Sequence, residues 1–310
     1  MIIPCFGAIR WFKYGFVIIM IGIVGVLAGF MIGLVWLSLL ERKVMGTIQR
    51  RVSCNYWGWM GFLQPLLDAL KLVLKRDFVS QHELRAAVWF AWLTHVALVP
   101  LIPYGDGDIL VDMSLGWIWF LGVGGLGLWG LVWAGWVSGN RWGYMGAIRG
   151  IGQMLAFELS FTAIVWSIVL LHGDWSIVGC SGGFTWMLMA GVVGLVPWLI
   201  LVAMESQRAP FDLAEAEQEL VAGYVVEYGG LAFAVFFMAE YAGMWVSAVL
   251  FSWLWLGIGS GIGVCIFLFW MMWLRATYPR PRYDQVIRLG WWVLFPWSLG
   301  LFICAWAIMV

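Results

Sequence analysis

The sequence predicts an all-α integral membrane protein with about eight transmembrane helices and one amphipathic helix in the membrane interface. Three observations predict it. Of the 310 residues, 64% are hydrophobic and only 11% charged, whereas a soluble domain is about 25% charged. The apolar runs exceed the roughly 20 residues that a spanning helix needs. The bases are also sorted by side. With eight spans, 15 of the 17 Lys and Arg residues fall on one face, and only Arg10 and Lys13 lie opposite.

The whole chain, 1–310, reads as a single membrane domain. Residues 16–40 form the first span. Gly25, Gly29 and Gly33 repeat within it; that spacing either admits a closely packed helix or is simply tolerated in a membrane. A polar stretch follows, and inside it residues 61–75 read as the amphipathic helix. Leu63, Leu66, Leu67, Leu70 and Leu74 recur at helical spacing, with Asp68, Lys71 and Lys75 on other faces. This segment is too short to span and lies in the interface. Residues 86–103 form the second span, followed by a loop with Asp106, Asp108 and Asp112. The third span is 113–137. Its Gly122–Gly127 string matches GxGxxG, but it lacks the preceding strand and following acid of a nucleotide fold, so it reads as helix packing. The remaining spans are 151–171, 184–204, 224–245, 249–273 and 289–310. The break between the sixth and seventh is placed at Gly243 to Val246, because fusing them would spoil the charge sorting that the positive-inside rule expects. Both termini then face the outer compartment.

Several function classes drop out. The net charge is zero, which gives no hint of nucleic acid. The five cysteines lie far apart with no CxxC, whereas iron–sulfur clusters and zinc sites need clustered thiolates. Haem needs paired axial ligands on suitable helices; His95 lies in a span, His172 at a span end, and neither is assigned to haem. The 25 tryptophans and 39 glycines fit a guanine-rich coding strand of the kind found in some organellar genomes.

Residues 204–228 carry the chemistry. They hold Glu205, Asp212, Glu215, Glu217, Glu219 and Glu227, with Arg208 as the one base. If the stretch is helical, Asp212, Glu215 and Glu219 share a face and Glu217 points away. The plainer reading is an acidic helix start, with Pro210 at its first position. Like charges beside a low dielectric favour neutral acids, and a row of acids that can hold or release protons is what a proton path needs. Glu158, Glu227 and Glu240 are predicted within spans, where an ionised side chain costs roughly 2.5 to 3.5 kcal/mol on insertion scales. They therefore need partners, a wet cavity or protonation. Arg42, Arg50 and Arg51 read first as topology signals.

Five strings resemble one family. The segments Leu40-Glu-Arg-Lys-Val-Met-Gly-Thr-Ile-Gln49 and Gly61-Phe-Leu-Gln-Pro-Leu-Leu-Asp-Ala-Leu-Lys71 resemble the first inner loop of chain 1 of respiratory NADH:quinone oxidoreductase, complex I, and of its bacterial counterpart. The run from Glu205 to Gly223 resembles that family's most distinctive motif. Phe236-Phe-Met-Ala-Glu-Tyr241 and Arg275-Ala-Thr-Tyr-Pro-Arg-Pro-Arg-Tyr-Asp284 match two more. The likeness runs from about residue 20 to the C-terminus. One departure is Ser53-Cys54 before Asn55, where the family usually has Gly-Pro; a turn loses its pre-set geometry there.

The resemblance implies a membrane subunit of an H+-translocating NADH:ubiquinone reductase, not catalytic alone. It implies ubiquinone as substrate, with no NAD, flavin, haem or iron–sulfur cluster bound by this chain. The implied partners are the peripheral-arm iron–sulfur subunits, neighbouring small membrane subunits and the lipid bilayer. The quinone chamber would involve Arg42, Arg51, Glu205, Asp212, Tyr224 and Tyr228. The proton path would involve Glu41, Glu158, Glu205, Glu215, Glu217, Glu219, Glu227 and Glu240. The implied location is the mitochondrial inner membrane with an organelle-encoded chain, or alternatively a bacterial plasma membrane. Two rivals are a secondary transporter, for which no internal repeat is evident, and the membrane anchor of a related hydrogenase.

Overall fold

The computed structural model describes residues 5–75, 82–103, 109–180, 192–257 and 261–309. Among them, every regular element is helical. Helix α1 covers Cys5–Ile48 and α2 covers Gln64–Leu74, opened by Pro65 in its first turn. Helix α3, His82–Leu98, tightens into a 3-10 turn at Val99–Leu101. Helices α4 (Gly116–Val137) and α5 (Arg141–His172) follow, then α6 (Val192–Glu205) and the single turn α7 (Glu217–Leu220). Helix α8 is Gly230–Phe251 and α9 is Gly261–Thr277. The short α10, Tyr283–Arg288, runs through a π-turn into α11, Phe295–Met309.

Among the described residues, five helical segments are long and apolar enough to cross a membrane, and three shorter apolar helices, 86–101, 193–205 and 261–277, accompany them. Lipid tails are as apolar as leucine, so helix association here rests on close packing more than on escape from water. The pattern of burial fits. Trp117, Trp198 and Phe267 are fully enclosed, while Trp129, Trp136, Trp292 and Trp306 stand on the outer surface. Exposed apolar side chains on this scale are what a bilayer covers. Helix α5 is central, packing on α4, α6 and α11. Helix α3 packs on α4 and α8, and α8 on α9.

Three expectations need correcting. The break placed at Gly243 to Val246 is absent: α8 runs unbroken to Phe251 and continues as a π-turn to Leu256. The chain turns instead at Gly257, whose φ is 64°, a conformation that costs a residue without Cβ nothing. Gly243 serves contact, since a Cβ there would lie 3.2 Å from His95 Nε2. The fourth segment also begins earlier than 151. Asn140 caps α5 by accepting from Trp142 N at 3.2 Å, so the polar turns with Arg141 and Arg149 are helical; hydropathy marks the apolar layer, not the helix. Finally, residues 204–228 are not one helix. Beyond the end of α6 its regular pieces are the single turn Glu217–Leu220 and a 3-10 turn at Gly223–Val225, and Pro210 lies in a turn and not at the start of a helix. Asp106, Asp108, Arg76 and residues 184–191 lie outside the described residues.

Candidate functional site

The acidic loop is held on α5 by two devices. Gln153, almost fully buried, donates from Nε2 to Met204 O at 3.1 Å and to Phe211 O at 2.9 Å. Gly146 lets the loop backbone lie directly on the helix: a Cβ there would come within 2.8 Å of Ala214 O and 2.9 Å of Gly223 Cα. With the loop seated this way, its carboxylates divide into two groups. Asp212 and Glu215 turn inward, each with one buried oxygen that has no hydrogen-bond partner among the described residues. Glu219 stays outside, paired with Arg149. Glu227 is also exposed and accepts from Asn140 Nδ2 at 3.0 Å. It precedes α8, contrary to the expectation of a place within a span. The side chain of Glu217 lies outside the described residues.

Arg208 organises the interior. It is buried, and its Nε lies 3.3 Å from Glu240 Oε2, while its Nη1 donates to Glu41 Oε2 at 3.4 Å. Its guanidinium sits 3.9 Å from the centre of the Tyr241 ring, within the range of a cation–π contact. Glu41 is held twice more, by Arg275 and by Tyr241 Oη, which donates to it at 2.5 Å. Tyr224 Oη donates to Glu240 Oε1 at 3.5 Å. A buried carboxylate is tolerated when paired and hydrogen-bonded, and this cluster supplies both.

The loop groups respond to that field. Burial and then the Glu215 charge push the Asp212 carboxyl up to about 6, against the opposing pull of Arg280, which lies 3.2 Å away. Burial works against the charge of Arg208, but Glu240, Tyr241 and Glu41 outweigh it, so the guanidinium is held firmly protonated. Burial, reinforced by Glu215 and Glu240, holds the Tyr224 phenol well above its ordinary range.

Two adjoining cavities lead away from this cluster. The larger, of about 100 Å³, is lined by Glu205, Ser206, Gln207, Tyr224 and Glu240, with His95 from α3. The smaller, of about 40 Å³, is lined by Glu158 and Glu205. Glu205 thus faces both. Each space exceeds the roughly 10–15 Å³ that one water requires, and the larger offers the several polar partners that ordered water needs. The Gly122–Gly127 string lies inside α4, where Gly124 lines both cavities, and the Glu158 carboxylate packs against Gly125. The packing reading of that string fits its place.

The structure therefore gathers Glu41, Glu158, Glu205, Asp212, Glu215, Tyr224 and Glu240, but not Glu219 or Glu227. Tyr228 donates to Ala134 O at 3.0 Å, which fixes the start of α8 against α4. Arg42 is at the surface, bonded to Asp68 of α2 at 2.6 Å, and Arg51 is exposed. Sequence reasoning missed Tyr241, Gln153, Arg275 and Arg280 as partners. The lone base of an acidic stretch was a visible signal for Arg208, and a glutamine in an apolar helix was one for Gln153.

A bundle of apolar helices with a counter-charged cluster of buried carboxylates defines the class, a multi-pass membrane protein. The NADH dehydrogenase family model matches residues 21–306, and the chain belongs to that family. It is 35% identical to an NADH-quinone oxidoreductase subunit of Rhodospirillum rubrum over 288 residues, covering 85% of this chain and 86% of that one. It is 34% identical to "NADH-ubiquinone oxidoreductase chain 1" of Chondrus crispus over 322 residues, covering 94% and 95%. To the chain of that name in Arabidopsis thaliana it is 33% identical over 301 residues, covering 90% and 93%.

Proposed function

We propose that the chain is a membrane subunit of proton-pumping NADH:quinone oxidoreductase, forming much of the quinone chamber and linking quinone reduction to proton movement. The relatives' names carry the first half of this reading. One observation carries the second: Glu240, Glu205 and Glu158 follow one another along two cavities that share Glu205. Quinone reduction consumes protons. Asp212, Glu215 and Tyr224 meet that demand at the loop, and a proton gained by one acid relieves the like-charge penalty on its neighbour. Glu240 then passes the change to Glu205 and Glu158 through water in the cavities.

Arg208 fixes Glu240 and Glu41 in place, while Arg42 and Arg51 receive the quinone at the surface beside α2. The exposed leucines of α2 accommodate its apolar tail. NADH oxidation and the electron relay belong to partner subunits of an iron–sulfur arm. The setting is a multi-pass position in the mitochondrial inner membrane, with both termini outside.

The test replaces Glu158 and Glu215 by Gln, which keeps size and removes the titrating group. Each variant lowers NADH-driven quinone reduction severalfold in assembled complex, while electron transfer from NADH to an artificial acceptor upstream of quinone stays normal. Wild-type quinone reduction and pumping in both assembled variants would end the proton-path reading for those positions. Copurification of an iron–sulfur arm separates this reading from a transporter, which purifies alone. Quinone reduction by that assembly separates it from a hydrogenase anchor.

A further inference from the structure

His95 stands at the wall of the larger cavity and has no part in the proton path from Glu240 to Glu158. Its Nδ1 lies 2.9 Å from Ala91 O, one helical turn back. A carbonyl oxygen only accepts, so Nδ1 is the donor, and in the neutral ring Nε2 keeps its lone pair. Two glycines make room for this ring. A Cβ at Gly127 of α4 would lie 3.8 Å from Cε1, and one at Gly243 of α8 would lie 3.2 Å from Nε2. Gly243 is three residues after Glu240, hence on the same face of α8, and both line the cavity together with His95. The other titratable groups on this cavity, among the described residues, are Glu205 from α6, Tyr224 from the loop and Glu240 from α8, while α4 and α5 contribute uncharged lining.

We infer that His95 is a third proton-holding site of the cavity, exchanging protons through water with Glu240 and Glu205. The inference rests on the proton-path reading of the same cavity. The step is a plain proton transfer. A carboxylic acid gives its proton to Nε2 by way of intervening water, leaving a carboxylate and an imidazolium, and the reverse step returns it. An imidazolium beside two carboxylates lowers the cost of both being ionised at once. It lets the cavity store one proton more than the acids alone.

The experiment compares His95→Gln, His95→Glu and Glu205→Gln in assembled complex. Quinone reduction is measured against pH, and electron transfer to an upstream artificial acceptor serves as the control. Gln fills similar space but holds no proton. It lowers quinone reduction severalfold and removes one ionisation step from the pH profile that the wild type shows. Glu, a different shape that does hold a proton, restores most of the rate. A wild-type rate and pH profile in His95→Gln would overturn the inference. Equal impairment of Gln and Glu with an unchanged profile would also overturn it, since His95 would then act only by packing. If His95→Gln does not assemble, the pH profile of the smaller His95→Asn decides by the same criteria. An impaired Glu205→Gln beside a silent His95→Gln defeats the His95 inference alone. A silent Glu205→Gln removes the cavity path, and the inference with it.

Discussion

Arg208→Met tests whether the buried cluster is held together by charge. Arg208 and Glu41 are 8% and 6% exposed, so solvent screens their pairing little. The substitution keeps an apolar stem of similar length and deletes the guanidinium. Glu41 retains Arg275 and Tyr241, but among the described residues Glu240 loses its one ion-pair partner. Removing one member of a buried pair costs about 3–5 kcal/mol, mostly because the other charge is left uncompensated. At about 1.4 kcal/mol per tenfold, the folding equilibrium shifts by two orders of magnitude or more.

The stacking on Tyr241 is lost as well, but that contact contributes less, about 2 kcal/mol when desolvated. The double variant Arg208→Met/Glu240→Gln removes the orphaned charge with its partner and recovers about 2 kcal/mol, within the usual range of coupling between contacting residues. Arg208→Lys falls between, because a compact ammonium cannot reach both carboxylates as a planar fork does. The assay is the thermal midpoint of the assembled complex, read alongside quinone reduction. Equal destabilisation by the single and double variants would refute the role of charge, since the loss would then come from packing.

Asp212 gives a pH prediction. Its folded pKa of about 6 lies above the ordinary 3.8, so the folded loop binds more protons than the unfolded chain between those values, and stability falls as pH rises through that window. Arg280→Gln removes the larger of the two opposing charges and extends the fall to higher pH, Asp212→Asn flattens it, and hydrogen exchange of loop amides against pH distinguishes the three proteins. Cysteines placed at Asn55 and Gln285 label from the same side of the membrane, as the positive-inside rule requires; labelling from opposite sides would sink the eight-span topology. Leu67→Lys on the exposed face of α2 weakens use of a long-tailed quinone more than of a short-tailed one, and equal effects on both would remove α2 from the quinone's route.

The sequence by itself determined the class of fold, because apolar runs this long have few stable alternatives to membrane helices. It also determined the family, since the Glu205–Gly223 and Arg275–Asp284 strings are long and specific, and it singled out the acids. It misplaced the end of α8 and the start of α5. A glycine in a membrane helix can mark either a break or a close contact, and hydropathy does not register polar helical turns. Only the tertiary structure decided which acids work together. Glu41 meets Arg208 across 167 residues of sequence and Arg275 across 234, and no local pattern encodes contacts at that separation. Helical periodicity put Asp212, Glu215 and Glu219 on one face. The packed loop sends two inward and one out, because Gln153 and Gly146 of α5 hold it along a path that is not one continuous helix. The cavities are decided at the same level, by small residues on helices far apart in the chain, Gly124 on α4 and Gly243 on α8, that leave space where their neighbours close it.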